Sequence, residues 1–174
     1  MSPDVSPPRV RDATEADAAA IASIYNHYVL HTTVTFEESP VDAAEMQTRI
    51  AAVRAAGRPW LVLEEDGRLL GYAYASPWKP RSGYRFSVEV SVYVEPAAHR
   101  RGRGTALYDA LFRVLEASGV RSAVGGIGLP NDASIRLHEK FGMTKVAHFA
   151  RIGTKFGQWI DVGYWQRVFE PLPG

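Results

Sequence analysis

The period of the apolar positions changes several times along the chain. Ile21, Ile24, Tyr25, Tyr28 and Val29 recur at helical spacing, with Thr14 and Asp17 placed as a capping box, which predicts a helix over 14–31. Residues 32–38, TTVTFEE, are β-branched and extended in character. Ser39-Pro40 then predicts a helix start, Ser as N-cap and Pro in the first turn. Met46, Ile50 and Val53 form its buried stripe, and Gly57 ends it. Residues 60–65 and 69–75 read as strands joined by an Asp66-Gly67 hairpin turn. Over 85–94 the period is two: Val88, Val90, Val92 and Val94 face one way, and Ser87, Glu89, Ser91 and Tyr93 the other.

Leu107, Leu111, Val114 and Leu115 return to helical spacing and predict a helix over 105–118, stopped by Gly119. A strand over 120–127 follows. Asn131 or Asp132 caps a short helix, ASIRLHEKF, stopped by Gly142. Two last strands, 143–154 and 159–169, are joined by KFGQ, and Val10 begins a short first strand. The order is strand, helix, helix, three antiparallel strands, helix, strand, helix, two strands. The middle unit is β-α-β and requires a parallel pair. The expected fold is α/β: a mixed, mostly antiparallel central sheet with helices on both faces. Residues 1–8 carry three prolines and two serines and are expected to be a disordered lead-in to a single domain over 9–174.

Composition narrows the chemistry. The 174 residues include no cysteine, which removes disulfides, thiolate metal sites and a cysteine nucleophile. A net charge of +1 argues against the whole chain being an electrostatic nucleic-acid binder. The basic cluster His99-Arg100-Arg101-Gly102-Arg103 is the local exception. No apolar run is long enough for a membrane span, and the polar, proline-rich beginning lacks a signal-peptide core, so a cytoplasmic location is expected. His27, His31, His99 and His148 show no metal-ligand spacing.

Arg101-Gly102-Arg103-Gly104-Thr105-Ala106, between a strand and a helix, has the make-up of an anion nest. Two glycines let a ligand approach the main chain, the helix start adds positive potential, and a pyrophosphate fits. A solvated basic loop with two turn glycines fits the hexapeptide equally. Glu89 lies mid-strand between Ser87 and Ser91, where partial burial would raise its pKa toward that of a general base; a solvent-facing glutamate is the alternative. His138 follows Ser134 by four residues and shares a face with Leu137 and Phe141, as either a satisfied core histidine or a site residue. Lys79 and Arg81, in the loop PWKPRSG, are candidate anchors for a carboxylate or stay solvated. Phe36, Trp78 and Tyr84 could wall a pocket or belong to the core.

The segment VEVSVYVEPAAHRRGRGTALYDALF, followed by NDASIRLHEKFGM, resembles the acetyl-CoA core of the Gcn5-related N-acetyltransferase (GNAT) superfamily. Arg101, Gly104 and Ala106 match the superfamily's loop pattern. Asn131, Ser134, Leu137, His138, Lys140, Gly142 and Met143 match its second motif. TTVTFEESPVD, GYAYASPWKPRSGYRFSVEVSVYV and GQWIDVGYWQ are similar to the phosphinothricin and methionine sulfoximine N-acetyltransferase branch, so the resemblance covers all but the N-terminus.

The resemblance implies the GNAT fold, acetyl-CoA as co-substrate without a metal, and homodimers. It implies that the backbone of Val92, Tyr93 and Val94 pairs with the pantetheine arm. Gly102, Arg103, Gly104, Thr105, Ala106 and Leu107, with Arg101, would hold the pyrophosphate; Asn131, Ser134 and Lys140 would contact the arm. Glu89 matches the proposed general base. His138 stands where most of the superfamily has an acidic tyrosine, and its implied role is proton relay, substrate contact or packing. Phe36, Lys79, Pro80, Arg81, Tyr84, Ser87, Glu89, Val90 and Ser91 are the implied acceptor contacts. The expected activity is acetylation of the α-amino group of a small amino-acid-like acceptor, with amino-acid detoxification as the associated role and no nucleic-acid or membrane partner. The alternatives are a protein N-terminal or lysine acetyltransferase, which needs an open acidic groove, and a non-catalytic CoA- or RNA-binding module.

Overall fold

Seven strands form one sheet in the order β1-β2-β3-β4-β5-β7-β6 in a computed structural model that describes residues 7–98 and 102–170. The strands are β1 (Arg9–Asp12), β2 (Trp60–Glu65), β3 (Arg68–Pro77), β4 (Ser87–Val94), β5 (Ser122–Gly128), β6 (Thr144–Lys155) and β7 (Gln158–Val168). The helices are α1 (Ala18–His31), α2 (Ala43–Ala55), α3 (Arg103–Ala117) and α4 (Asp132–Lys140). All neighbouring strands are antiparallel except β4 and β5, which are parallel as the β-α-β unit demands. Two hairpins close on residues with positive φ: Asp66 and Gly67 (52° and 72°), and Phe156 and Gly157 (51° and 71°). Paired left-handed residues give the turn whose twist matches the flanking strands.

Helices cover both faces. Leu107, Leu111 and Leu115 of α3 pack with Val88, Val90 and Ala123 on one face, where Leu137 and Phe141 from the α4 segment join them. Ile21 and Val29 of α1 and Met46 and Ile50 of α2 pack with Val62 and Tyr72 on the other. Among the described residues, no helix is long and apolar enough to cross a membrane.

Two local expectations change. The second helix begins after Asp42, whose side chain caps the Glu45 N–H at 2.8 Å, and not at Ser39-Pro40. The Asn26 side chain binds both main-chain groups of Val41 (2.8 and 2.7 Å), which holds the chain out of a helix until residue 42. Residues 32–38 join no strand. Their hydroxyls bond locally instead: Thr32 Oγ1 to the Tyr28 carbonyl (2.8 Å), and Thr35 Oγ1 to the Tyr25 hydroxyl (2.8 Å).

The departure from regular sheet that matters most lies between β4 and β5. They pair only at Ser87↔Ser122, Val88↔Ala123 and Glu89↔Val124. Beyond Glu89, β4 continues along β3 to Val94, while β5 continues along β7 to Gly128. The sheet therefore opens into a notch with Glu89 at its apex.

Candidate active site

Two cavities meet at this notch, and Val34 of the α1–α2 loop lines both. The first, about 850 Å³, runs between the open edge of β4 and the facing ends of α3 and α4. Glu95 donates its N–H to the Leu70 carbonyl (2.8 Å), which fixes the alternation along β4. Tyr93 and Ser91 then direct their main-chain groups to β3, and Val92 and Val94 direct theirs to the notch. Tyr28 donates to the Val94 carbonyl (2.5 Å), so one of these groups is engaged by α1.

At the other end of this cleft, Gly102 (φ 69°) is the N-cap of α3. The Ala106 N–H already donates to the Gly102 carbonyl (3.0 Å), and the Leu107 side chain is fully buried in the core. The N–H groups left without an intrahelical partner are those of Gly102, Arg103, Gly104 and Thr105. This narrows the expected anion nest. The Arg103 side chain does not serve it: its guanidinium is 7% exposed, donates to the Ala98 carbonyl (3.0 Å) and is paired with Glu65. Its charge braces the loop against β2. Arg101 lies outside the described residues.

Asn131 caps α4 by accepting from the Ser134 N–H (3.1 Å), which places Asn131 and Ser134 on the cleft wall. Lys140 reaches Thr105 Oγ1 at 3.5 Å across the mouth. Arg136, four residues before Lys140, also lines the cleft. Its helical spacing from Lys140 beside Asn131 was a signal for it that the sequence carried.

The second cavity, about 820 Å³, lies on the α1–α2 face of β4, β5 and β7. Glu89 and Ser87 line it with Lys79 and with the three candidate wall aromatics Phe36, Trp78 and Tyr84. The Glu89 carboxylate is half-buried and forms no hydrogen bond or ion pair among the described residues. Burial pushes its pKa up, opposed by the charge of Lys79. The Lys79 ammonium lies 4.7 Å over the Trp78 ring, which meets Tyr164 edge-on at 5.8 Å. Phe149 also meets Tyr164 edge-on, again at 5.8 Å. Tyr164, Phe149, Val124 and Gly126 were not foreseen.

Four expected acceptor contacts, Pro80, Arg81, Val90 and Ser91, are not brought here. Val90 is 3% exposed and belongs to the α3 core on the opposite face of β4. Ser91 shares the Glu89 face but sits opposite Tyr74 of β3 and lies outside the cavity lining. Pro80 and Arg81 also fall outside the lining, so Lys79 is the one cation among the described residues that line the cavity.

His138 lines neither cavity. It is 3% exposed, and burial lowers its pKa despite the Ser134 carbonyl beside it. Nδ1 lies 2.7 Å from that carbonyl and Nε2 lies 3.0 Å from the Tyr108 hydroxyl. A neutral ring satisfies both: Nδ1–H donates to Ser134, and Nε2 accepts from Tyr108. The ring lies against β5, where a β-carbon on Gly125 would come within 2.6 Å of it.

Residues 10–163 match the acetyltransferase (GNAT) domain family. The chain is 45% identical over 174 residues to a phosphinothricin N-acetyltransferase of Streptomyces viridochromogenes, covering 99% of this chain and 94% of that protein. It is 41% identical to an L-methionine sulfoximine/L-methionine sulfone acetyltransferase of Salmonella typhimurium, over 90% of this chain and 92% of that one. Among solved structures, a GNAT superfamily phosphinothricin acetyltransferase from Sinorhizobium meliloti in complex with acetyl-CoA superposes with a TM-score of 0.90. It is 36% identical, with 96% of this chain and 94% of that chain covered. The domain match, the near full-length relatives and a mixed sheet that parts beside β4 lead to one assignment: the chain belongs to the GNAT family and is an N-acetyltransferase.

Proposed function

We propose that the protein transfers the acetyl group of acetyl-CoA directly to the α-amino group of a small amino-acid-like acceptor, with Glu89 as general base. The observation that carries this reading is the position of Glu89, unpaired and half-buried at the apex of the notch where the two cavities meet. The β4 edge and the first turn of α3 suit the extended, amide-rich arm and the pyrophosphate of coenzyme A. The second cavity takes the acceptor, with the Lys79 ammonium facing its carboxylate.

The chemistry asked of the residues is modest. Glu89 accepts the proton of the acceptor ammonium, directly or through one water. The freed amine attacks the thioester carbonyl and a C–N bond forms; as the C–S bond breaks, the nitrogen gives up its second proton, through water, to the departing sulfur, which leaves as the thiol. Cleft-facing main-chain N–H groups of β4 are placed to stabilise the oxygen as charge develops on it. His138 is a structural element of α4 in this scheme, since both its nitrogens are engaged.

The two curated relatives act on phosphinothricin and on methionine sulfoximine or sulfone, and these three head the acceptor panel. The test is acetyl-CoA consumption over that panel, common L-amino acids and short peptides. Turnover with free amino acids that disappears in Glu89→Gln is expected. Turnover confined to peptide N-termini or lysine side chains would replace this reading with the protein-acetyltransferase one. We also propose that the protein is a homodimer. β6 and β7 expose Val146, Ile152 and Trp159 by 55%, 58% and 68%, an apolar face of the kind that a partner covers. A molar mass of one chain in solution would refute that.

A further inference from the structure

The loop between α1 and α2 is fastened on two sides, and between the fastenings Val34 and Phe36 reach the acceptor cavity. On the α2 side, Arg49 pairs with Glu37 (2.6 Å), which also accepts from the Tyr25 hydroxyl. On the sheet side the fastening is Lys155, the last residue of β6, buried at 1% exposure. Its ammonium donates to the carbonyl oxygens of Thr35 (2.7 Å) and Tyr28 (3.4 Å). Tyr28 lies in the last turn of α1, the negative end of the helix, where a cation is favoured; its carbonyl also accepts from Thr32 Oγ1 (2.8 Å). Burial lowers the pKa of this ammonium, with Glu37 and Glu38 opposing. A buried charge is costly unless fully engaged, and here its partners are main-chain groups on either side of the segment that leads into Phe36.

The hairpin of β6 and β7 is also shaped to take the Phe36 ring. A β-carbon on Gly153 would lie 2.1 Å from Phe36 Cε2 and 2.5 Å from Cζ. One on Gly128 would lie 3.8 Å from Cε1. The ring therefore rests on the bare backbone of β6 with β5 beside it, and its remaining side faces the cavity. Gly153 has no positive φ, so its glycine supplies space and not conformational freedom. It also sits where the β6–β7 register shifts, between Phe149 and Gly153.

We propose that Gly153 and Lys155 are specificity-determining residues that seat Phe36 against the β6–β7 hairpin and so set the length of acceptor side chain the cavity takes. Neither lines the cavity; both are positioning residues that act through Phe36. The inference rests on the second cavity being the acceptor site. A methyl group at Gly153 meets the far end of a flexible side chain, so the ring yields while the fold stays. With the loop held on both sides, the ring moves toward the cavity and shortens it.

The experiment measures kcat/KM for L-alanine, L-2-aminobutyrate, L-norvaline, L-norleucine and L-methionine sulfone in the parent, Gly153→Ala, Phe36→Ala and Lys155→Met. Discrimination of one methylene in a fitted apolar pocket is worth about tenfold or more. Gly153→Ala is expected to shift the norleucine-to-alanine ratio toward alanine by about tenfold, and Phe36→Ala to shift it the other way by a similar factor. Lys155→Met is expected to raise the KM of every acceptor and flatten the ratio, with the acetyl-CoA KM at the parent value. An active parent with the same ratio in Gly153→Ala overturns the inference and leaves the acceptor site standing. A parent that turns over none of these amino acids removes the acceptor reading and this inference with it. If Lys155→Met fails to fold, the Gly153→Ala ratio alone decides between these outcomes.

Discussion

The two cavities have nearly the same volume, about 850 and 820 Å³, and are built by different means. The first cavity, the cofactor cleft of the proposed function, presents main-chain groups: the open edge of β4 and the first turn of α3. Its one nearby buried arginine is turned inward to Glu65. The acceptor cavity presents side chains, gathered from the α1–α2 loop, the β3–β4 connection and four strands. A site made of backbone binds a ligand whose shape does not vary and fails only when a β-carbon intrudes. A site made of side chains changes its ligand with each substitution. Glu89 lines the acceptor cavity and, as the last residue of β4 paired with β5, stands where β4 turns its open edge to the other cavity.

The sharpest way to break that picture is at the apex. Glu89→Gln should cut kcat by about 10²–10⁴-fold, the usual contribution of a general base, with the acetyl-CoA dissociation constant unchanged. Unchanged turnover would make Glu89 a bystander. Its raised pKa gives two further readouts. The base form exists above that pKa, so kcat/KM should rise with pH through an inflection above the ordinary glutamate value of 4.5, and fall away on the acid side. For stability the sign is opposite to that of a salt-bridged carboxylate. A folded pKa raised by burial means the native state prefers the protonated form, so stability is lost as pH rises through it. At neutral pH Glu89→Gln should therefore melt higher than the parent while turning over less. A lower midpoint would mean the carboxylate has a stabilising partner.

Next come substitutions that separate the cavities. A β-carbon on Gly104 would approach Leu137 Cδ2 at 3.2 Å, between α3 and α4. Gly104→Val overfills that gap at a cost of about 1–3 kcal/mol, which should raise the acetyl-CoA KM by about tenfold or more and leave the acceptor KM alone. Lys79→Met should do the converse. Losing a hydrogen bond between charged groups costs about 1.5–3 kcal/mol, or roughly tenfold or more in the acceptor KM. Because Lys79 holds the Glu89 pKa down, the same substitution should move the inflection of the pH profile upward. If both variants raise both KM values together, the cavities act as one site and not as two.

The difference in construction also explains what the sequence could reveal. The cofactor cleft was legible because its parts are contiguous: Gly102 and Gly104 sit at one helix start, and Asn131 and Ser134 at another. What was misjudged there depended on distant partners. Arg103 reads as a ligand charge until Glu65 of β2 is beside it. The acceptor cavity was legible only in part, since Tyr164, Phe149 and Val124 are single positions on separate strands that nothing local joins. Val90 is a different case. The two-residue period of β4 already put it on the face opposite Glu89, so the pattern excluded it from the acceptor wall. The start of α2 was hidden for a tertiary reason, because Asn26 of α1 takes both main-chain groups of Val41.

The smallest kinetic effect is expected at His138, and it decides whether the chemistry needs a second group. The imidazole joins Tyr108 of α3 to the Ser134 turn of α4 and lies on Gly125 of β5. It therefore ties together the three elements that face the open edge of β4. His138→Asn can still reach the Ser134 turn but leaves the fully buried Tyr108 hydroxyl without its partner. An unsatisfied buried group costs about 1–3 kcal/mol, which a thermal or urea melt would register as a lower midpoint. With α4 loosened, the acetyl-CoA KM should rise modestly, while kcat and its pH profile stay close to those of the parent. A proton donor to the leaving thiolate would behave otherwise. Its loss would depress kcat and remove the basic limb of the pH profile without a matching change in stability. A melt and a pH–rate profile on this one variant thus separate a ring that holds the cleft together from one that serves the reaction.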